Sequence, residues 1–264
     1  MSWEHVQTLR TGADGAAEVR GLRPGDYCAF LATVPAPYSS WRNAGAASTA
    51  LAHYAKPLSL AGAAPRAQID FVVGAGSELA GRFAMSDGSA PPQRHGVTVD
   101  FTSSPQVGGF RGDMTFMVRP TQMSDERFAV AGLSANERYT IREFDADHLK
   151  PIVIVGLRMN GTTLRGDDIV VPPSGARPLL EVVLDRAGVV SGTVPGVTAG
   201  RTAARRVSGD APAALYPDTA WAEIADGRFV FRGLPPGEYV VSIEGGAAGQ
   251  RVRVEPGALI ELAF

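Results

Sequence analysis

The sequence predicts an all-β protein assembled from repeated modules, and three observations predict it. Apolar residues alternate in short runs broken by Gly, Pro, Asp and Ser, with little helical periodicity anywhere. The stretch RGLRPGDY at 20–27 returns as RGLPPGEY at 232–239, identical at six of eight positions. Similar opening and closing strand patterns surround the copies. A turn that builds a domain returns with every domain, whereas a catalytic motif is ordinarily present once, so these letters mark a building unit.

The first unit opens on a turn at Asp14-Gly15 and continues through Gly21, Leu22, Pro24, Gly25 and Tyr27, with Cys28 alternating into the strand as a small core residue. The Ala-rich stretch from Ala44 to Ala55 is the one place that suits a short helix, although it lacks a strong apolar stripe. IDFVV at 69–73 is expected to close the unit as a strand. Because the repeated motif starts almost at Met1, the opening strands have no room, and the unit is expected to be N-terminally truncated, with an exposed edge.

The second unit opens with ELAGRFAMSDG (78–88), a strand with a glycine in its middle. A third copy of the motif follows at 125–144, where Phe128, Val130, Gly132, Leu133 and Tyr139 align with Phe229, Phe231, Gly233, Leu234 and Tyr239. Ala135-Asn136 replace Pro-Gly there, and Asn tolerates a left-handed backbone. LLEVVLDRA (179–187) closes this unit.

The third unit opens with VVSGTVPGVTAG (189–200). After a turn at Asp226-Gly227, Phe229 and Phe231 point to one face, and Val230 and Arg232 to the other. Pro236-Gly237 suits the centre of a type II turn, and Tyr239, Val241 and Ile243 share a face of the following strand, so the segment is expected to be a β-hairpin. LIELAF (259–264) closes the unit. The expected modules run from 1–73, 74–186 and 187–264.

The bulk properties exclude several classes. A formal net charge of −2 gives no general attraction to nucleic acid or anionic membrane. Cys28 is the only cysteine, so no intramolecular disulfide forms. The N-terminus lacks the apolar core of a signal peptide, and the longest apolar run, 151–157, is too short for a transmembrane helix.

The pattern Gly-x-Phe-x-Phe-x-Gly-Leu-x-Pro-Gly-x-Tyr, whole from Gly227 to Tyr239, resembles the carboxypeptidase regulatory-like domain. That family is similar in fold to transthyretin and to the B-type repeats of collagen adhesins. The resemblance covers the second and third units nearly end to end and the C-terminal half of the first. PIVIVGLRMNGTTLRGDDIVV (151–171) also resembles the hairpin that follows the tyrosine strand in bacterial tandem versions. It implies a prealbumin-like Greek-key sandwich per unit, within the broader carbohydrate-binding-like fold, and a structural corner at each tyrosine, ring inward and hydroxyl capping backbone.

The resemblance further implies an appendage without catalytic chemistry or cofactor, in an exported cell-envelope protein of which this chain is a piece. None of His5, His53, His95 and His148 has Glu three residues on, so the family's zinc motif is not present. Lys56 and Lys150 lie outside the opening strands, which leaves no place for the Lys–Asn crosslink of the adhesin repeats.

Other candidate sites have plain readings. GAGSELAG (74–81) has the wrong spacing for a phosphate loop and reads as a linker. The RGD tripeptides at 111–113 and 165–167 and the DADH at 145–148 read as polar turns. RTAARR (201–206) is a local basic patch expected between strands, without interleaved aromatics, which argues against nucleic acid. Tyr38 and Trp41 lie in a Pro/Ser-rich loop, and Tyr216 and Trp221 precede the last copy of the motif. These aromatics either cover open ends of the cores or stack on sugar rings. Two functions follow: a non-catalytic spacer or adhesion array whose partners are envelope proteins, or a carbohydrate-binding module whose partner is a polysaccharide.

Overall fold

The computed structural model describes residues 9, 11–31, 54–61, 67–71, 76–93, 97, 99–103, 116–118, 120, 122–124, 126–133, 138–143, 151–164, 168–172, 177–209, 211–212, 215–246 and 249–264. Among them are nineteen β-strands and no helix.

The C-terminal strands are β13 (Gly188–Thr193), β14 (Ala199–Ser208), β15 (Thr219–Ala225), β16 (Arg228–Leu234), β17 (Gly237–Ile243), β18 (Gly249–Val254) and β19 (Leu259–Ala263). They pair in the order β18-β17-β14-β15-β16-β13-β19. The contact between β15 and β16 is the single pair Ala225↔Arg228, so two layers, β18-β17-β14-β15 and β16-β13-β19, are joined at one corner. That corner is the turn Asp226-Gly227, with φ of 50° and 70°, the doubly left-handed geometry that favours Asp-Gly in hairpins. Between the layers lie Val190, Phe229, Phe231, Tyr239, Val241 and Val254.

The middle strands follow the same plan. One sheet has the order β11-β8-β4-β5, from β4 (Val99–Ser103), β5 (Phe116–Val118), β8 (Arg138–Glu143) and β11 (Asp168–Val170). The other has the order β10-β9-β12-β3-β7-β6. Its strands are β3 (Ser77–Met85), β6 (Gln122–Met123), β7 (Arg127–Leu133), β9 (Ile152–Met159), β10 (Thr162–Thr163) and β12 (Leu179–Arg186). In both groups the first and last strands lie side by side and parallel, β3 with β12 and β13 with β19. The extra piece is the β9-β10 hairpin, which turns at Asn160-Gly161 with φ of 49° and 82°. The fold is all-β, built from β-sandwiches.

In the first unit, β1 (Gly25–Leu31) and β2 (Tyr54–Leu60) form an antiparallel pair. Its register repeats that of the later copies: Tyr27 faces Leu58, Tyr139 faces Ile169, and Tyr239 faces Val252.

Three expectations need correction. The repeated motif is not a hairpin. β16 pairs with β13 and β15, β17 pairs with β14 and β18, and likewise β7 and β8 belong to different sheets. The motif crosses from one layer to the other; alternation of Phe229, Phe231, Tyr239 and Val241 toward one core suits both geometries, and only the pairing separates them. Ile69–Phe71 carry no strand, and Val72 and Val73 lie outside the described residues; the strand opposite Tyr27, 54–60, corresponds to β11 and β18 and not to a closing strand. Tyr54 and Ala55, the end of the expected helix, open that strand, while Ala44 to His53 lie outside the described residues.

The mid-strand glycines have a packing reason. Gly81 faces Phe128 across β3 and β7, and a Cβ there would lie 2.0 Å from the ring. Gly192 faces Phe229 in the same way, at 2.4 Å. Each missing side chain is the slot in which the first aromatic of the motif lies. The Phe128 ring cannot retreat easily, because Phe83 and Phe101 hold it at centroid distances of 5.2 and 6.1 Å.

On the outer face of the same sheet, Glu181 of β12 sits in register between Arg82 of β3 and Arg158 of β9. Arg82 Nε donates to its Oε2 at 2.7 Å and Arg158 Nη1 to its Oε1 at 2.8 Å. Burial alone pushes the Glu181 carboxyl up, but the two arginines outweigh it and hold the group below its ordinary 4.5.

Two outcomes are expected. Gly81→Ala destabilises the protein by about 1–3 kcal/mol through overpacking. Gly156→Ala is the control, since its Cβ would meet nothing closer than 3.8 Å, and chemical denaturation separates the two. Glu181 stabilises the fold only while ionised, so its contribution is present above pH 4.5 and is lost as pH falls through its lowered folded value. Glu181→Gln removes that acid-side slope, which denaturation midpoints measured across acidic pH would show.

Candidate functional site

Two places concentrate specific side-chain geometry in the described residues: the repeated corner and the outer face around Trp221. The corner begins with a left-handed glycine. Gly21, Gly132 and Gly233 have φ of 80°, 81° and 71°, which a residue with a Cβ adopts only with strain. Leu133 and Leu234, next in the chain, are buried. In the last copy the Tyr239 hydroxyl donates to the Pro235 carbonyl at 2.8 Å, inside the core. In the first copy Tyr27 donates to the Arg23 carbonyl at 2.7 Å; each acceptor immediately precedes the motif's proline, Pro236 or Pro24. Tyr139 is only 2% exposed, while Ala135 and Asn136 lie outside the described residues.

The expected type II geometry does not hold at Pro236-Gly237. Gly237 has φ of 156°, positive but far from the roughly 80° that a type II turn needs, and the glycine nearer that value is Gly233. Gly237 is required on two counts: its positive φ is one that a residue with a Cβ rarely adopts, and a Cβ would lie 2.4 Å from the Ser208 carbonyl oxygen of β14. Gly25 occupies the equivalent place with φ of 158°.

Burial drives the Tyr239 pKa up to about 12, with the nearby Arg206 charge opposing it. Arg206 is itself inside, its side chain 9% exposed. It donates to the Ala211 carbonyl at 3.1 Å and so holds the segment that leads to Tyr216.

Tyr216 and Trp221 are not brought together as one site. The Tyr216 oxygen accepts the backbone N–H of Ile154 at 2.7 Å, on β9 of the preceding sandwich. Leu215 beside it packs against that sandwich's core. Here the two sandwiches meet. One residue, Ala187, separates β12 from β13, and its N–H donates to the Pro151 carbonyl at 2.8 Å. Gly257 donates to the Arg186 carbonyl at 3.2 Å across the same junction.

Trp221 lies on the outer face of β15, opposite Ala203 of β14, and is 50% exposed. The Arg201 guanidinium lies 4.5 Å from the centre of its ring, a cation–π contact. Glu223 approaches Arg201 at 3.9 Å. RTAARR is therefore part of strand β14, with Arg201 and Arg205 exposed and Arg206 turned inward.

Tyr38, Trp41, all four histidines, DADH and both RGD tripeptides lie outside the described residues. Among the described residues no three His, Cys, Asp or Glu side chains are placed to hold a metal, and no helix is long and apolar enough to cross a membrane. Sequence reasoning missed the Tyr216–Ile154 bond and the buried Arg206. Neither has a local signal, because each depends on which strands become neighbours.

Tyr239→Phe is expected to cost about 1–2 kcal/mol, the loss of one buried hydrogen bond, read by chemical denaturation. The raised pKa favours the neutral phenol in the folded state. That stability is fully present below pH 10 and is lost as pH rises toward about 12. In an ultraviolet phenolate titration of the folded protein, Tyr239 ionises above pH 10, so Tyr239→Phe removes absorbance change from the alkaline end of the curve.

No family model and no curated protein matches the chain. Among solved structures, it is similar to GBS52, the minor pilin of Streptococcus agalactiae, at 14% identity over 72% of this chain and 94% of that one, with a TM-score of 0.35. It is similar to a streptococcal ancillary pilin at 13% identity over 71% of this chain and 62% of that one, with a TM-score of 0.31. The Bacillus anthracis TIE protein matches at 12% identity over 71% of this chain, with a TM-score of 0.26, and the chain spans 33% of its length. Likeness at this level carries no functional argument; the sandwich assignment rests on the chain's own strand pairing.

Proposed function

We propose that the chain is a non-catalytic array of β-sandwich modules, serving as a stiff spacer and interaction scaffold in a bacterial cell-envelope protein. The modules are residues 1–73, 74–186 and 187–264, and we assign them to the carboxypeptidase regulatory-like domains on the motif from Gly227 to Tyr239. Extracellular or envelope placement rests on that same resemblance.

The observation that carries the spacer reading is the junction between the second and third modules. A flexible tether needs residues free of fixed partners. Here one residue joins β12 to β13, and backbone bonds at Ala187 and Gly257, with the Tyr216–Ile154 bond, fix it on both sides. Such a joint transmits orientation from one module to the next.

A second reading, a carbohydrate-binding accessory module, is favoured by one observation. Trp221 is half exposed on a sheet face with Arg201 beside it, which is the aromatic-plus-polar pairing that sugar recognition uses.

In the spacer reading, nuclear spin relaxation on the full chain gives one rotational correlation time for the second and third modules. Tyr216→Ala separates their tumbling while leaving each module's strand resonances in place. Independent tumbling in the unaltered chain would sink the proposal.

A further inference from the structure

We infer that the outer face of the β15-β14-β17-β18 layer binds an uncharged, hydroxyl-rich polysaccharide along the row Trp221–Ala203–Ser242–Gly249. This rests on the carbohydrate-binding reading and adds the place and the ligand class. Strand register creates the row: Trp221 faces Ala203, Ala203 faces Ser242, and Ser242 faces Gly249. It crosses three strand spacings, about 14 Å. Beyond the indole every side chain in it is small, so the floor stays low beside a raised ring.

At Gly249 the space for a side chain is already taken by Val240, which fixes glycine at the end of the row. A Cβ on Gly249 would lie 2.5 Å from Val240 Cγ1. Trp221 has its ring against Arg201 and is still 50% exposed, so a large part of the indole stays open to solvent. An apolar ring face beside a shallow polar floor suits the C–H face of a sugar ring, which is flat, partly apolar and edged with hydroxyls.

The flanking rows decide the charge class. On one side Arg205 and Arg251 face Val240 from either strand, and neither makes an ion pair among the described residues. On the other side Arg201 is opposite Glu223, and Glu244 binds the Arg201 carbonyl through its backbone N–H at 2.9 Å. Three arginines against two glutamates leave the rim near charge balance, which offers a polyanion little net attraction. The same rim supplies guanidinium donors and carboxylate acceptors, the complement that neighbouring hydroxyls need.

The test is affinity electrophoresis of the full chain in gels containing hydroxyethyl cellulose, mannan, galactan, polygalacturonate or polyglutamate. Retardation by at least one neutral glycan is expected, with none from polyglutamate and none stronger from polygalacturonate. Trp221→Ala and Ala203→Leu should each weaken it roughly tenfold or more, the loss of one stacked contact. Circular dichroism checks that both variants keep the strand content. Neutral-glycan binding that survives both substitutions overturns the site and leaves the carbohydrate-binding reading standing. Stronger retardation by both polyanions overturns the ligand class. No retardation by any polymer overturns the site and the reading together.

Discussion

Three peptide links join Leu234 to Gly237, and their reach sets the shape of the C-terminal sandwich. Three Cα steps extend to about 11 Å at most. In a flat sheet with the observed order, β16 and β17 would stand three spacings apart, about 14 Å. Stacked sheets lie only about 10 Å apart, so the link fits when the layers fold face to face and fails when they lie flat. The Tyr239 hydroxyl then ties the strand back to the carbonyl that begins the crossing. Phe229, Phe231 and Tyr239 reach one core because this short crossing brings their strands opposite each other.

The same constraint explains why small residues recur where they do. Two layers held that closely leave no spare volume between the opening strand and the motif's first aromatic, hence Gly81 under Phe128 and Gly192 under Phe229. Where β14 passes the crossing, the Ser208 carbonyl leaves Gly237 no room for a side chain. Gly81 and Gly192 act by absence of volume, Gly21, Gly132 and Gly233 by backbone conformation, and Gly237 by both.

Filling the inner faces with the repeated core frees the outer faces and the junction to differ between modules. Glu181 uses one outer face for a three-strand ionic ladder, and Trp221 uses another for an exposed ring. Tyr216 meets β9, which is part of the hairpin that the C-terminal sandwich lacks. The joint therefore depends on the feature in which the two sandwiches differ.

Much of the fold was legible in the letters. The alternation at Phe229, Phe231, Tyr239 and Val241 named the inward faces, and Asp226-Gly227 named a real hairpin turn. Their physics is local: strand parity and the left-handed tolerance of Gly are properties of a few consecutive residues. Those properties are the same whether two strands pair side by side or stack across a core, so the sequence also supported a hairpin that does not exist. Of the candidate site, the sequence could name Trp221 and Tyr216 as aromatics in one segment but could not send them to different surfaces. By itself the sequence determined the all-β class, the repeated corner and which residues face inward. Only the tertiary structure decided the layer crossing, the Tyr216–Ile154 joint and the row beside Trp221, because each is a contact between strands far apart in the chain.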